Sequence, residues 1–123
     1  MQDDFSINKR KTGSTYENRA CEYLENNGFK VLERNFRCRT GEIDIIGLDN
    51  GTYVFVEVKY RKSTSFGHPT EAVTYKKQQT ICRVANFYRL YKKLAETASF
   101  RFDIISILGS DITWYKNAFN YHI

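Results

Sequence analysis

Asp44, Glu57 and Lys59 are the residues of this chain whose types and spacing can do chemistry. Two carboxylates meeting at one point can hold a hard divalent cation, and an ammonium beside them can screen their mutual repulsion. Whether the three meet depends on residues 41–61, which carry them. Segments 42–48 and 53–59 are rich in Ile, Val, Phe and Tyr, with Asp49-Asn50-Gly51 between them. Asn-Gly is the strongest short-range signal for a two-residue type I′ turn, so the stretch reads as a hairpin. With Asn50 and Gly51 central, Leu48 opposes Tyr53, Ile46 opposes Phe55, Asp44 opposes Glu57 and Glu42 opposes Lys59, all on one face. The other face pairs Ile43 with Val58, Ile45 with Val56 and Gly47 with Val54. It is apolar and is expected to be buried.

Opposed Cβ atoms lie roughly 5 Å apart, where two unit charges repel by about 3 kcal/mol at an effective dielectric of about 20. A favourable cross-strand pair contributes at most about 1 kcal/mol, so Asp44 and Glu57 need a further partner. A bound divalent cation, a shared proton or a nearby cation such as Lys59 would serve; otherwise the hairpin end splays into water. Oxygen-only donors favour Mg²⁺ or Mn²⁺.

Gly41-Glu42-Ile43-Asp44, followed by Val56-Glu57-Val58-Lys59, resembles the D-(spacer)-ExK signature of the PD-(D/E)xK nuclease superfamily, without the Pro before the Asp. The wider frame comprises Glu17, Ala20 and Tyr23-Leu24, then Tyr60-Arg61, Phe66-Gly67-His68-Pro69, Lys77-Gln78, Arg101-Phe102-Asp103 and Asn117-Ala118-Phe119. That succession is similar to the YraN family of small endonuclease-like proteins, which resemble Holliday-junction resolvases, from about residue 13 to the end. The resemblance implies an α/β protein with the αβββαβ core of the restriction-endonuclease-like fold, a mixed central sheet flanked by helices. It implies a metal-dependent nuclease acting on DNA, including branched or single-stranded structures. Asp44, Glu57 and the Val58 carbonyl would then hold Mg²⁺ (or Mn²⁺), Lys59 would orient or activate water, and Glu17 would add a helix-borne carboxylate to the metal's ligand or water shell. The competing readings are a catalytically silent nucleic-acid-binding protein of recombination or DNA uptake, and a ribonuclease, since this chemistry does not read the sugar.

The chain has 123 residues, 41% hydrophobic and 15% aromatic, which suits one core and not two. We expect a basic flexible arm over residues 1–13, carrying Lys9-Arg10-Lys11, and a single domain over 14–123. With 19 Lys and Arg against 14 Asp and Glu, the net charge of +5 suits a polyanionic partner such as nucleic acid without demanding one, with a homodimer left open. Cys21, Cys38 and Cys82 are odd in number and lack a CxxC pair, which argues against a disulfide framework or structural zinc. The polar N-terminus and the lack of a long apolar run give no signal peptide or membrane span, so a cytoplasmic location is expected.

The elements that must position the site follow in order. A helix is expected over 14–27, with Tyr16, Ala20, Tyr23 and Leu24 on its apolar side. Ser14-Thr15-Tyr16-Glu17 also fits a capping box, which would turn Glu17 back to its own helix. A strand over 29–37 ends in Arg34, Arg37 and Arg39, which line a phosphate path or solvate an edge. Residues 60–69 are expected to form a loop that either clamps nucleic acid, with Arg61 and Lys62 on phosphate and Tyr60 or Phe66 stacking on an unpaired base, or is a surface connection; His68 reads as surface. A helix over 74–94 is expected to bury Ile81, Val84, Ala85, Tyr88 and Tyr91, widened by Phe87, Leu90 and Leu94, with Lys76 and Lys77 near its start answering to phosphate or solvent. Residues 100–108 form a strand covered on both faces, parallel to 53–59, and turn into 112–116. Arg101 and Asp103 share a face as a structural charge pair.

Overall fold

The hairpin forms in the expected register. In the computed structural model, which describes residues 4–62 and 67–123, β2 (Gly41–Asp49) and β3 (Thr52–Arg61) pair antiparallel through Asp49↔Thr52, Leu48↔Tyr53, Ile46↔Phe55 and Ile45↔Val56. Asn50 and Gly51 take φ of 51° and 83°, the two positive values that a type I′ turn needs. Gly47 is required for space: a Cβ there would collide with the Phe29 ring and the Lys30 carbonyl.

Around the hairpin stand α1 (Asp4–Asn26), β1 (Lys30–Cys38), a 3₁₀ turn (Pro69–Ala72), α2 (Tyr75–Tyr91), β4 (Phe100–Leu108) and β5 (Asp111–Phe119). The five strands form one sheet in the order β1-β2-β3-β4-β5. All neighbours are antiparallel except β3 and β4, which run parallel because α2 carries the chain back between them. This mixed sheet with its helices is the αβββαβ core of the restriction-endonuclease-like fold, extended by β5. Among the described residues no helix is long and apolar enough to cross a membrane.

Strand alternation divides the core in two. Ala20 and Leu24 of α1 pack with Phe29, Ile45, Val54, Val56, Ile105 and Ile107, whereas Ile81, Val84, Ala85 and Tyr88 of α2 pack with Ile46, Phe55, Phe102 and Ile104. β4 feeds both sides, and its interior is buried throughout, as its apolar run requires. Arg101 and Asp103 form the expected charge pair through two 2.8 Å contacts, and Arg101 also holds Asp49 at 2.8 Å. Asp103 is wholly buried and further accepts from Trp114 Nε1 and the Asn117 N–H, each at 2.8 Å.

Four expectations are corrected. α1 begins at Asp4, upstream of the expected start at residue 14, so Ser14 lies inside the helix, where no capping box can form. Residues 1–3 lie outside the described part. On α2, Phe87, Leu90 and Tyr91 are exposed at 44%, 72% and 63%, because the sheet is only wide enough to cover the Ile81–Val84–Ala85–Tyr88 stripe. Ile43 does not accompany Ile45 but joins Ile46 on the α2 side. The register runs on unchanged from Arg34↔Ile45 to Phe36↔Ile43, yet Arg34 reaches Asn18 of α1 while Phe36 meets Tyr88 of α2. Between them Asn35, at φ 52°, breaks the pleat across from Asp44. Finally, β5 runs three residues beyond the expected end, to Phe119, after a bulge opposite Asp103.

Candidate metal centre

The strand break gathers the site. Ladder pairing between β2 and β3 stops at Ile45↔Val56, one pair short of Asp44 and Glu57. In its place the Val58 N–H donates to Asp44 Oδ2 at 2.8 Å. A residue's N–H and C=O leave a strand on the same side, so the Val58 carbonyl is directed into the same gap. Glu57 is buried, on the α2 side with Phe55. Asp44 and Glu57 thus approach as the register demands, but through side chains across an opened ladder.

Burial, reinforced by a carboxyl–carboxylate hydrogen bond to Glu57 and by that group's charge, pushes Asp44 up to about 8; the Val58 N–H opposes the rise. In the metal-free chain the pair is therefore held by a shared proton. It is also held by a cation, Lys77 of α2, whose Nζ is 3.7 Å from Glu57 Oε2. Lys77 is thus drawn to the carboxylate pair, which explains a lysine at a helix start where the dipole disfavours it.

Lys59 shares the strand face of Glu57 but does not pair with Glu42. Glu42 binds Arg37 of β1 at 2.7 Å instead, because the two lie opposite in the β1–β2 ladder while β2 and β3 have already parted. Among the described residues no carboxylate pairs with Lys59. Glu17 projects from α1 with its side chain 17% exposed, 4.0 Å from Arg34 Nη2. Burial raises its pKa, a hydrogen bond with Asn35 opposes this, and the charge of Asp44 adds to the rise, which places Glu17 at the margin of the site. Asn35 is the site residue that sequence reasoning missed. An Asn inside a strand, a residue type that tolerates left-handed backbone, was the available signal.

The oxygen donors fit Mg²⁺ or Mn²⁺. Among the described residues no three His, Cys, Asp or Glu side chains form a ready-made cage. Mg²⁺ does not ask for one: it keeps several waters and takes one or two carboxylates together with substrate phosphate. Asp44, Glu57 and the Val58 carbonyl would fit that requirement, and Glu17 is near enough for the charge of Asp44 to bear on it.

The expected nucleic-acid contacts distribute unevenly. Arg39, in the exposed turn between β1 and β2, lies at the same end of the sheet as the carboxylates, as does Lys77; Gly41 beside it approaches Thr80 of α2. Lys62 is exposed just beyond β3. Arg61 is turned to the loop, donating to the Gly67 carbonyl at 2.8 Å. The Tyr60 ring is stacked on Tyr16 of α1 at 4.0 Å, so one of its faces is already covered. Phe66 lies outside the described residues, and His68 packs edge-on to Tyr115 at 4.9 Å.

Comparison with known proteins shows the family. The profile of the "Uncharacterised protein family UPF0102" matches residues 16–107, which include every strand and helix residue that bears the candidate site. A UPF0102 protein of Persephonella marina is 50% identical over 116 residues, covering 94% of this chain and 97% of its own length. One of Lachnoclostridium phytofermentans is 46% identical over 114 residues, covering 93% and 97%. Another, of Aliivibrio fischeri, is 46% identical over 114 residues, covering 90% and 93%. With the family profile matched over residues 16–107 and these relatives 46–50% identical over at least 90% of it, the chain belongs to the UPF0102 family, the YraN family of the sequence resemblance.

Proposed function

We propose that this protein is a metal-dependent nuclease that hydrolyses phosphodiester bonds of DNA. The observation that carries the reading is the half-buried Asp44 carboxyl, fixed by the Val58 N–H at 2.8 Å beside Glu57, which Lys77 of α2 meets at 3.7 Å. An Mg²⁺ or Mn²⁺ ion held by Asp44, Glu57 and the Val58 carbonyl would supply Lewis-acid polarisation of the scissile phosphate and a more acidic water. Asp44, as a ligand, would release its proton to solvent when the site is filled. Lys59, free of a carboxylate partner, orients the attacking water and offsets charge developing on the phosphate oxygens. Lys77, Arg39 and Lys62 hold the flanking backbone, while Glu17 and Asn35 fix the position of water beside Asp44.

A second reading, a catalytically silent nucleic-acid-binding protein, draws on one observation: Lys77 already supplies a positive charge beside Glu57. Incubating the protein with labelled branched, flapped, single-stranded and duplex DNA, and with RNA counterparts, in Mg²⁺, Mn²⁺ or EDTA separates the two. Cleavage that needs metal and is lost in both Asp44→Ala and Glu57→Ala supports the nuclease. Binding without cleavage of any substrate supports the silent protein, and preferred RNA cleavage would correct the substrate.

A further inference from the structure

Helix α2 carries Lys76, Lys77, Arg83 and Arg89 but no carboxylate in its 17 residues, and Lys92 and Lys93 follow it directly. Solvated helix faces commonly set opposite charges three or four residues apart, where they support one another. α2 forgoes that support. Steps of three and four residues place Lys76, Thr80, Arg83, Phe87 and Tyr91 in one stripe along the helix. The stripe lies on the flank turned to β1, because the Phe36 ring of β1 meets Phe87 and Tyr91 at 6.2 and 6.5 Å.

The two ends of the stripe differ. Its start joins the candidate metal centre: a hollow lined by Thr74, Lys76, Lys77 and Thr80 shares Lys77 with the carboxylate pair, and the turn that carries Arg39 closes on Thr80 at Gly41. Its other end is aromatic and open to solvent. The Phe87 and Tyr91 rings are exposed and within 11° of parallel, with centroids 6.0 Å apart. Among the described residues no carboxylate pairs with Lys76 or Arg83. Glu33 of β1, at the far end, is held by Lys92 at 3.8 Å, and the same ammonium lies 5.6 Å from the centre of the Tyr91 ring.

We infer that this stripe is a track for a single-stranded segment of nucleic acid extending from the metal centre, an inference that rests on the nuclease reading for its substrate class. Lys76 and Arg83 meet phosphates, while Phe87 and Tyr91 stack on unpaired bases, the pairing of cations with aromatic rings that non-specific strand-binding grooves use. From Lys76 to Tyr91 the helix rises about 22 Å at about 1.5 Å per residue, room for at most about six nucleotides at the roughly 3.4 Å spacing of a stacked strand. A duplex keeps the faces of its bases inside its own stack, so the rings select a single strand. A second copy of the chain fits less well, since an isologous contact would set a helix without carboxylates against itself and bring like charges together.

The test is fluorescence anisotropy of a labelled oligothymidylate and of a duplex of the same length, titrated with the full chain in EDTA so that no cleavage intervenes. Phe87→Ala/Tyr91→Ala is expected to weaken single-strand binding at least about tenfold and duplex binding by no more than about twofold, because only unpaired bases use the rings. Tyr91→Phe, which keeps the ring, should bind as the wild type does. Arg83→Gln should weaken single-strand binding and lower the slope of log affinity against log salt by about 0.7, the loss of one phosphate contact. The three side chains are exposed, so circular dichroism should show each variant folded. Unchanged single-strand affinity in the folded double variant, equal losses on strand and duplex, or no single-strand binding by the wild type would overturn the track. Binding to phosphatidylserine vesicles in place of the strand, or a wild-type dimer that the double variant breaks, would give the face to a membrane or to a second copy. Cleavage in Mg²⁺ with strand affinity unchanged in the double variant would remove the track alone, whereas selective loss of strand affinity in a protein that never cleaves would keep the track and remove the nuclease.

Discussion

Replacing Asp44 by Asn should make the metal-free protein more stable, and increasingly so as pH rises. Asp44→Asn leaves a neutral group of the same shape, whose oxygen can keep the Val58 N–H bond of 2.8 Å and whose amide can donate to Glu57 as the shared proton does. In the folded wild type Asp44 is pushed from its ordinary 3.8 to about 8. That span of about four pH units corresponds to on the order of 5 kcal/mol, at about 1.36 kcal/mol per unit. The unfolded chain loses the Asp44 proton near 3.8, whereas the folded chain keeps it until about 8. Wild-type stability contributed by this group is therefore intact below the lower value, falls as pH rises between the two, and is flat above the upper one. The variant has no such loss. Its advantage should grow from near zero at pH about 4 to at least about 2 kcal/mol at pH about 9, allowing for relaxation around a buried charge. Urea unfolding of both proteins in EDTA across that range measures it, since Glu17 and the other titrating groups are common to both. A difference that does not change with pH, or a variant less stable than wild type at the alkaline end, would refute the account of Asp44.

Three further outcomes follow from other parts of the molecule. Asn35→Gly should keep the fold close to wild-type stability, whereas Asn35→Ala, forced to hold φ of 52°, should cost about 1–2 kcal/mol more; equal melting of the two variants would show that the pleat break is not strained. Asp103→Ala should cost about 3–5 kcal/mol by denaturant unfolding, because it leaves Arg101 and Trp114 Nε1 without their buried acceptor, and a loss under about 1 kcal/mol would contradict that. Affinity for DNA should fall steeply with added salt as phosphate contacts release counterions, and a salt-independent affinity would point to a partner that is not a polyanion.

Much of this was legible in the chain. Asn50-Gly51 set the hairpin register correctly because a two-residue turn leaves no freedom in pairing, and the apolar run of β4 announced a strand covered on both sides. What could not be read was the point where the ladder fails. Periodicity assumes an unbroken pleat, so Ile43 was placed beside Ile45 and Lys59 across from Glu42, when a left-handed Asn35 opens the sheet and hands Glu42 to Arg37. That same break is what lets Asp44 meet Val58 and Glu57 by side chain, so the site arises where local regularity is lost. The helix start was missed for a different reason. Ser14 and Glu17 fit a cap that also tolerates a helical interior, and residues 4–13 continue as helix despite their polarity. Lys77 could be expected to answer to phosphate or solvent, but its pairing with Glu57 could not be read, since it depends on how α2 crosses the sheet.

Lys59 tests the central proposal most directly, because it distinguishes an enzyme from a binding protein. It pairs with no described carboxylate, so a merely structural role gives Lys59→Ala little to lose. If its ammonium orients water and stabilises transition-state charge, its removal should cost on the order of 2.7–4 kcal/mol in the chemical step, or about 10²–10³-fold. The measurement is single-turnover cleavage of the best DNA substrate by wild type and Lys59→Ala in Mn²⁺, beside a binding curve for each. A rate lowered by at least that factor with affinity for DNA and Mn²⁺ kept is the predicted result; a wild-type rate in Lys59→Ala, or no metal-dependent cleavage by the wild type, would contradict it.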